Sequence, residues 1–273
     1  MPRQVFPLIR RRQHPVVTRV RDVAKRAGPD DAVLLDGLRL VLDALEAGLS
    51  VNLILATAGL LQDGSEDAAR LTQLAAAAGV DVYEATAGVI DAASPVRTPG
   101  GVVAIARWLP SSLSDLWAPA PALAIGLVNV QDPGNAGAVV RSADGLGATG
   151  VVMMGATADP GSAKSLRGAM GSTFRVPVAR ASIDETLQAA RAAGVQIAAT
   201  MTPSARTCDV HSTDLSGPML VLLGNEGAGL PEQVLRTADI RLSIAMRPGI
   251  NSFNVAVTSA LVLYEARLQR GTR

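Results

Sequence analysis

The chain of 273 residues holds one cysteine, Cys208, and two histidines, His14 and His211. A lone cysteine excludes an internal disulfide framework and fits a reducing compartment, so a cytoplasmic protein is expected. Three nitrogen or sulfur ligands are too few to make a zinc site within one chain plausible, and no metal is expected. Long apolar runs are missing too. None reaches the roughly 18 residues that span a bilayer, so no membrane partner is expected. The arginines of the first dozen residues are not followed by an apolar core, which argues against a secretory signal. Lysine is almost absent: Lys25 and Lys164 are the only two, and every other cationic side chain is arginine. Arginine grips phosphate bidentately where lysine is a point charge.

Hydrophobic residues make up 48% of the chain, enough to bury a substantial core, and the length is comfortable for two domains. The net charge of +1 conceals a polarity. Residues 1–26 carry eight basic side chains (Arg3, Arg10, Arg11, Arg12, Arg19, Arg21, Lys25, Arg26) against Asp22 alone. Residues 27–108 carry four basic and eleven acidic side chains. A basic arm suits phosphate contact. A bias toward arginine on a solvated helix face accounts for it equally well.

Strand-like runs at Val33–Leu35, Val51–Leu55 and Gly101–Ile105 alternate with helical spacing over Leu38–Ala47 and Ala68–Ala78. This predicts a small α/β domain within residues 1–108. Residues 109–122 hold prolines and serines with little periodicity and read as a linker. Residues 123–273 give a second alternating series. Its strands are expected at Leu123–Val130, Gly150–Met154, Val195–Thr200, Met219–Leu223 and Ile240–Ala245, and its helices from Asn135, Ser165, Ser182 and Ser252. Strands separated by helices imply a mostly parallel sheet.

Three pieces of this second half bear chemistry. The first runs from Asn129 to Arg141. Here a strand ends, Asp132-Pro133-Gly134 turns the chain, and Asn135 is placed to cap a helix that carries Arg141. Gly137 lies one turn before Arg141 and would clear space over the guanidinium. The plain alternative is a capped helix with Arg141 paired to Asp144. The second, Gly224-Asn225-Glu226-Gly227-Ala228-Gly229-Leu230, follows an apolar strand and fixes a carboxylate in a glycine-cleared turn. The spacing is not that of a dinucleotide site. The plain alternative is a tight turn with Glu226 facing solvent. The third, Ser252-Phe253-Asn254-Val255-Ala256, opens the last long helix. There Ser252 is a natural cap, and capping alone would explain it.

Together and in this order, these pieces resemble the three motifs of the SpoU (TrmH-like) branch of the SPOUT RNA ribose 2′-O-methyltransferases. Asn135-x-Gly137-x-x-x-Arg141 matches the first motif, Gly224 to Leu230 the second and Ser252 to Ala256 the third. Lys164 to Gly171 resembles the segment the family carries between the first two. The resemblance covers residues 123–270. More weakly, residues 10–58 resemble the ribosomal-protein-like substrate-binding domain of many members.

The resemblance implies an α/β fold whose C-terminal parallel sheet contains a deep trefoil knot, preceded by a smaller α/β RNA-binding domain. It implies S-adenosylmethionine as cofactor, held by turns near Thr200, Gly224, Ile244 and Phe253. Catalytic roles fall to Asn135, Arg141, Glu226, Ser252 and Asn254, with Arg141 acting near a partner chain's cofactor in a homodimer. The last helix, with Val257, Leu261, Tyr264 and Leu268 on one stripe, would supply part of that contact or of the core. The strong basicity of a guanidinium makes Arg141 a better phosphate and alkoxide stabiliser than a base. Arg10, Arg11 and Arg12 are the expected RNA contacts. Ribosomal RNA is the expected substrate and transfer RNA the alternative. A non-catalytic RNA-binding assembly factor and a small-molecule α/β enzyme are the other classes. Two positions depart from the family pattern: Phe253 stands where leucine is usual, and Ala256 where serine is usual.

Overall fold

The structure is a computed structural model that describes residues 6–26 and 31–271. Arg3 of the basic end lies outside the described residues. The chain forms two compact units, one of residues 1–109 with 161–174, the other of 110–160 with 175–273.

In the first unit, β1 (Leu8–Ile9), β2 (Ala32–Asp36), β3 (Val51–Thr57), β4 (Asp81–Ala85) and β5 (Val102–Arg107) form a sheet of order β1-β4-β3-β5-β2. Strands β1, β4 and β3 run parallel, while β5 is antiparallel to β3 and β2. Period-two alternation splits their apolar side chains between two faces. Val33, Leu35, Ile54, Val102 and Ala104 pack with α2 (Leu38–Glu46) and α4 (Glu66–Ala77). Leu34, Leu53, Leu55, Val103 and Ile105 pack with α1 (Pro15–Ala24) and α5 (Ala87–Ala93). The short α3 (Ala58–Leu61) follows β3.

Over its described residues, the expected basic arm is therefore folded. Strand β1 pairs with β4, and α1 buries Val17, Val20 and Val23 while keeping Arg19 and Arg21 exposed. Period 3.6 satisfies core and solvent at once, which a charge count does not reveal.

The second unit begins with α6 (Leu113–Trp117), in the stretch that reads as a linker. Ser112 and Asp115 form a capping box there, and Leu116 is buried in the core. The helix is too short to show a period, so only its cap signals it. There follow β6 (Leu123–Val128), α7 (Pro133–Leu146), β7 (Gly150–Met154), α8 (Ala163–Ala169), β8 (Val178–Ala181), α9 (Ile183–Ala192), β9 (Gln196–Thr200), β10 (Cys208–Asp209), β11 (Met219–Leu223), α10 (Glu232–Thr237), β12 (Ile240–Ser243) and α11 (Val255–Gln269). Helix α8 departs from the expected division. It lies in residues 161–174, and Leu166 joins the core of the first unit against β2.

The seven described strands of the second sheet have the order β10-β12-β9-β11-β6-β7-β8, with every pair parallel. One face packs α6, α9 and α10. Helix α7 lies over β6 and β7, and α11 packs along α7. Strand β9 sits between β11 and β12, so the chain leaving β11 returns past β9 to enter β12. The carboxyl ends of these three parallel strands then open side by side, where ligands collect in open α/β sheets.

Candidate active site

Those strand ends line a cavity of about 400 Å³. Thr200, Met201 and Thr202 come from the end of β9, and Leu223 to Gly229 from the end of β11. Leu242, Ser243, Ile244 and Met246 come from the end of β12. Asn251, Ser252 and Phe253 approach α11, whose Val255, Thr258 and Val262 close the cavity. Thr200, Gly224, Ile244 and Phe253, the expected cofactor contacts, thus share one space. The Thr200 hydroxyl donates to the Leu222 carbonyl at 2.9 Å, which ties the ends of β9 and β11 together.

The loop after β11 is built by Asn225. Its backbone exchanges two hydrogen bonds with Gly229, and its carboxamide oxygen accepts from the amides of Gly227 and Ala228 at 2.9 and 3.0 Å. Gly229 has φ 68°, the left-handed region that glycine enters without cost. A Cβ on Gly224 would lie 2.3 Å from the Gly229 carbonyl carbon, so only glycine lets the loop close on itself. Gly227 adopts no positive φ and is under neither constraint. The turn leaves Glu226 exposed on the cavity wall.

Asn135 meets Glu226 there. The cap of α7 is Asp132, not Asn135: the Asp132 carboxylate accepts from the Asn135 amide at 2.9 Å, with Pro133 at the first helical position. Aspartate followed by proline is a strong helix start, and it outcompetes asparagine three residues later. The Asn135 carboxamide is thereby released. Its Nδ2 donates to Glu226 Oε1 at 2.6 Å, and its Oδ1 accepts from Asn254 Nδ2 at 3.1 Å. Asn254, not Ser252, caps α11, with Oδ1 accepting from the Ala256 amide at 2.9 Å. One side chain from each motif thus forms a continuous rail, Asn254 to Asn135 to Glu226, at the cavity rim. Ser252 and Phe253 stay in the loop and face the cavity.

Arg141 stands apart. It is exposed on α7, does not line this cavity, and makes no hydrogen bond or ion pair among the described residues. Its expected alternative partner is taken, because Asp144 accepts from Arg175 at 2.9 Å. Gly137 is buried in α7.

The stripe on α11 is likewise not core. Val257, Leu261, Tyr264 and Leu268 are 46%, 40%, 54% and 57% exposed, while the opposite face buries Val255, Ser259, Val262, Leu263 and Ala266. In the first unit, Arg10, Arg11 and Arg12 are exposed in the turn between β1 and α1, with the Arg12 guanidinium lying over Gly88.

Sequence reasoning missed Asn129 and Asn225. Asn129 carries φ 57° right after β6, and Asn225 holds the Glu226 loop. An asparagine directly after an apolar strand is the available signal for such a left-handed position.

Comparison with known proteins places the chain in a family. Residues 122–264, more than half of the chain, match the model of the SpoU rRNA Methylase family. A 23S rRNA (uridine(2479)-2′-O)-methyltransferase of Streptomyces viridochromogenes is 39% identical over 142 residues, half of each chain. An uncharacterized tRNA/rRNA methyltransferase of Synechocystis is 31% identical over 94% of this chain and 92% of its own length. Among solved structures, the AdoMet-bound rRNA methyltransferase from Sinorhizobium meliloti superimposes with a TM-score of 0.85 at 31% identity, covering 96% of this chain and 98% of that one. The chain belongs to the SpoU rRNA Methylase family.

Proposed function

We propose that this chain transfers a methyl group from S-adenosylmethionine to a ribose 2′-hydroxyl of RNA, with ribosomal RNA as the substrate. The observation that carries this reading is the Asn254–Asn135–Glu226 rail. It joins three motifs distant in sequence at the rim of one cavity.

The cavity fits the cofactor. Its volume lies within the range of about 300–1,000 Å³ usual for small-molecule sites. Leu223, Leu242, Val255 and Val262 give it apolar walls, and Thr200, Thr202, Asn251 and Ser252 give it polar edges, a mixture suited to an adenosine bearing an amino-acid tail. Bound there, the cofactor supplies an electrophilic methyl group on a sulfonium. Phe253 keeps an aromatic face at 39% exposure in the position where leucine is usual. The departure at Ala256 is benign, because that residue serves the cap through its backbone amide.

The polar residues orient and neutralise. Asn135 fixes one oxygen of Glu226 and leaves the other to accept from substrate. Ser252 offers a hydroxyl to the ribose. The Arg141 guanidinium stabilises a backbone phosphate and the developing alkoxide. It works in a second copy of the chain. The exposed α11 stripe is the face that a second copy covers, and α11 lies along α7, which carries Arg141. The position of β9 between β11 and β12 supports a knotted path. The substrate unit comprises residues 1–109 with 161–174, and the exposed arginines 10–12 contact RNA phosphates. The setting is the cytoplasm.

The deciding experiment maps ribose methylation across total RNA from cells with and without this protein. Loss of one ribosomal RNA methyl group is expected. An unchanged map, together with no cofactor binding by calorimetry, would favour a non-catalytic RNA-binding role. Replacing Arg10, Arg11 and Arg12 by alanine should weaken RNA binding and make log K fall less steeply with log salt, by about 0.7–0.9 for each phosphate no longer neutralised. An unchanged slope removes that turn from the interface.

A further inference from the structure

We infer that Asn129 is a positioning residue for methyl transfer, acting through Asn225 on Glu226. The inference rests on the function proposed above. Asn129 directly follows β6 with φ 57°, a conformation that asparagine tolerates and β-branched residues do not. Three hydrogen bonds hold it there. Its amide donates to the Met154 carbonyl at 3.2 Å, and its side-chain Oδ1 accepts from the Ala156 amide at 2.8 Å. Its own carbonyl accepts from Asn225 Nδ2 at 3.1 Å.

The neighbouring strand is shaped to match. Gly155 has φ 60°, and a Cβ there would lie 2.3 Å from Asn129 Oδ1, so glycine at 155 is what lets the asparagine dock. The left-handed turn points the Asn129 carbonyl at the loop after β11 instead of along the sheet. Asn225 spends its whole carboxamide on the arrangement: Nδ2 reaches Asn129, and Oδ1 holds the amides of Gly227 and Ala228 on the far side of the Glu226 turn. The ends of β6, β7 and β11 are thus clasped at one point. The residue clasped next to that point is Glu226, which Asn135 meets at 2.6 Å. Asn129 touches neither the cavity nor the rail, so its effect on chemistry passes through the loop.

Three variants separate positioning from bulk stability. Asn129→Gly keeps the positive φ and the carbonyl, and gives up only the bond to the exposed Ala156 amide. Its kcat should stay within about threefold of the parent, since water replaces a bond at an exposed amide. Asn129→Val cannot hold the left-handed turn. Its kcat should fall about 10- to 100-fold, the cost of an ångström-scale misplacement, with the KM for RNA little changed. Asn225→Asp keeps the acceptor for Gly227 and Ala228 but turns a carboxylate oxygen toward the Asn129 carbonyl. Its kcat deficit should shrink as pH falls and the new carboxyl gains a proton to donate. Hydrogen exchange at the Gly227 and Ala228 amides is read in parallel and needs no activity. Faster exchange in Asn129→Val and parent-like exchange in Asn129→Gly support the inference even if the RNA reading fails. Parent-like kcat and exchange in Asn129→Val overturn it. If that variant does not fold, a pH-independent kcat ratio near one for Asn225→Asp overturns it.

Discussion

At the scale of single residues, the site is governed by which side chains are already occupied. Asn135 is free to join Asn254 and Glu226 because Asp132 takes the cap of α7. Arg141 is free because Asp144 is held by Arg175. In both cases a local competitor satisfies the ordinary structural demand and leaves a polar group for chemistry. The first unit shows the opposite arrangement at Asp36. Burial raises the pKa of this carboxyl above its ordinary 3.8, while the Ser94 hydroxyl, donating at 2.5 Å, and the charge of Arg167 oppose the rise. A raised folded-state value means that the native state holds the proton more tightly than the unfolded chain. The contribution of Asp36 is therefore fully present below the unfolded value of 3.8 and is lost as pH rises through the folded one. Asp36→Asn keeps the acceptor for Ser94 and removes the titration. The variant should match the parent in thermal unfolding near pH 4 and exceed it at pH 7. A difference that does not grow with pH would show that desolvation of this carboxylate does not limit stability.

At the scale of elements, α11 is apolar on two faces, one buried and one exposed. Its buried face packs along α7, and its carboxyl end is latched to the unit. Arg270 donates to the carbonyls of Leu215, Gly217 and Pro121 at 3.0, 2.5 and 2.8 Å, and Gln269 bonds Thr213 and Leu215. Four exposed apolar side chains at helical spacing on a latched, rigid helix make a contiguous patch of the kind that marks an interface. If a second copy covers this patch, Leu261→Glu with Tyr264→Glu places like charges across the two-fold contact. Sedimentation should show a monomer at micromolar concentration with the parent's helical content. A dimer that survives would put the contact elsewhere. This helix also marks the limit of what sequence reveals. Its period is legible from Val257 to Leu268, but a stripe reads the same whether it meets its own core or another chain. Cap positions fail for a related reason. Asn135 and Ser252 are good caps in isolation, and only the competing Asp132 and Asn254 decide against them. Strands β6, β7 and β11 are legible because each is an unbroken apolar run buried on both faces. Strands β1 and β4 are not, because β4 is half-exposed and β1 is two residues long.

At the scale of the whole molecule, the issue is whether one chain holds a complete site. Cavity, rail and Ser252 belong together within the second unit, yet Arg141 is outside the cavity they frame. If Arg141 serves a second copy, two defective chains should repair each other. Arg141→Ala keeps an intact cavity and rail but has no guanidinium to offer its partner. Glu226→Ala keeps the guanidinium but lacks the carboxylate. Each variant alone should bind RNA and methylate it at a small fraction of the parent rate. Mixed after dissociation and reassembly, half of the dimers pair one defect with the other. In each of these, one cavity receives Arg141 from its neighbour and one receives neither group. Random pairing in a two-fold dimer then returns about a quarter of the parent activity. A site complete within one chain gives no recovery, since every cavity then lacks one group. Titrating an excess of the Glu226→Ala chain into a fixed amount of the Arg141→Ala chain sharpens the contrast. Activity per Arg141→Ala chain should rise toward the parent value as each of its cavities acquires a competent neighbour, and it should stay flat if Arg141 acts within its own chain.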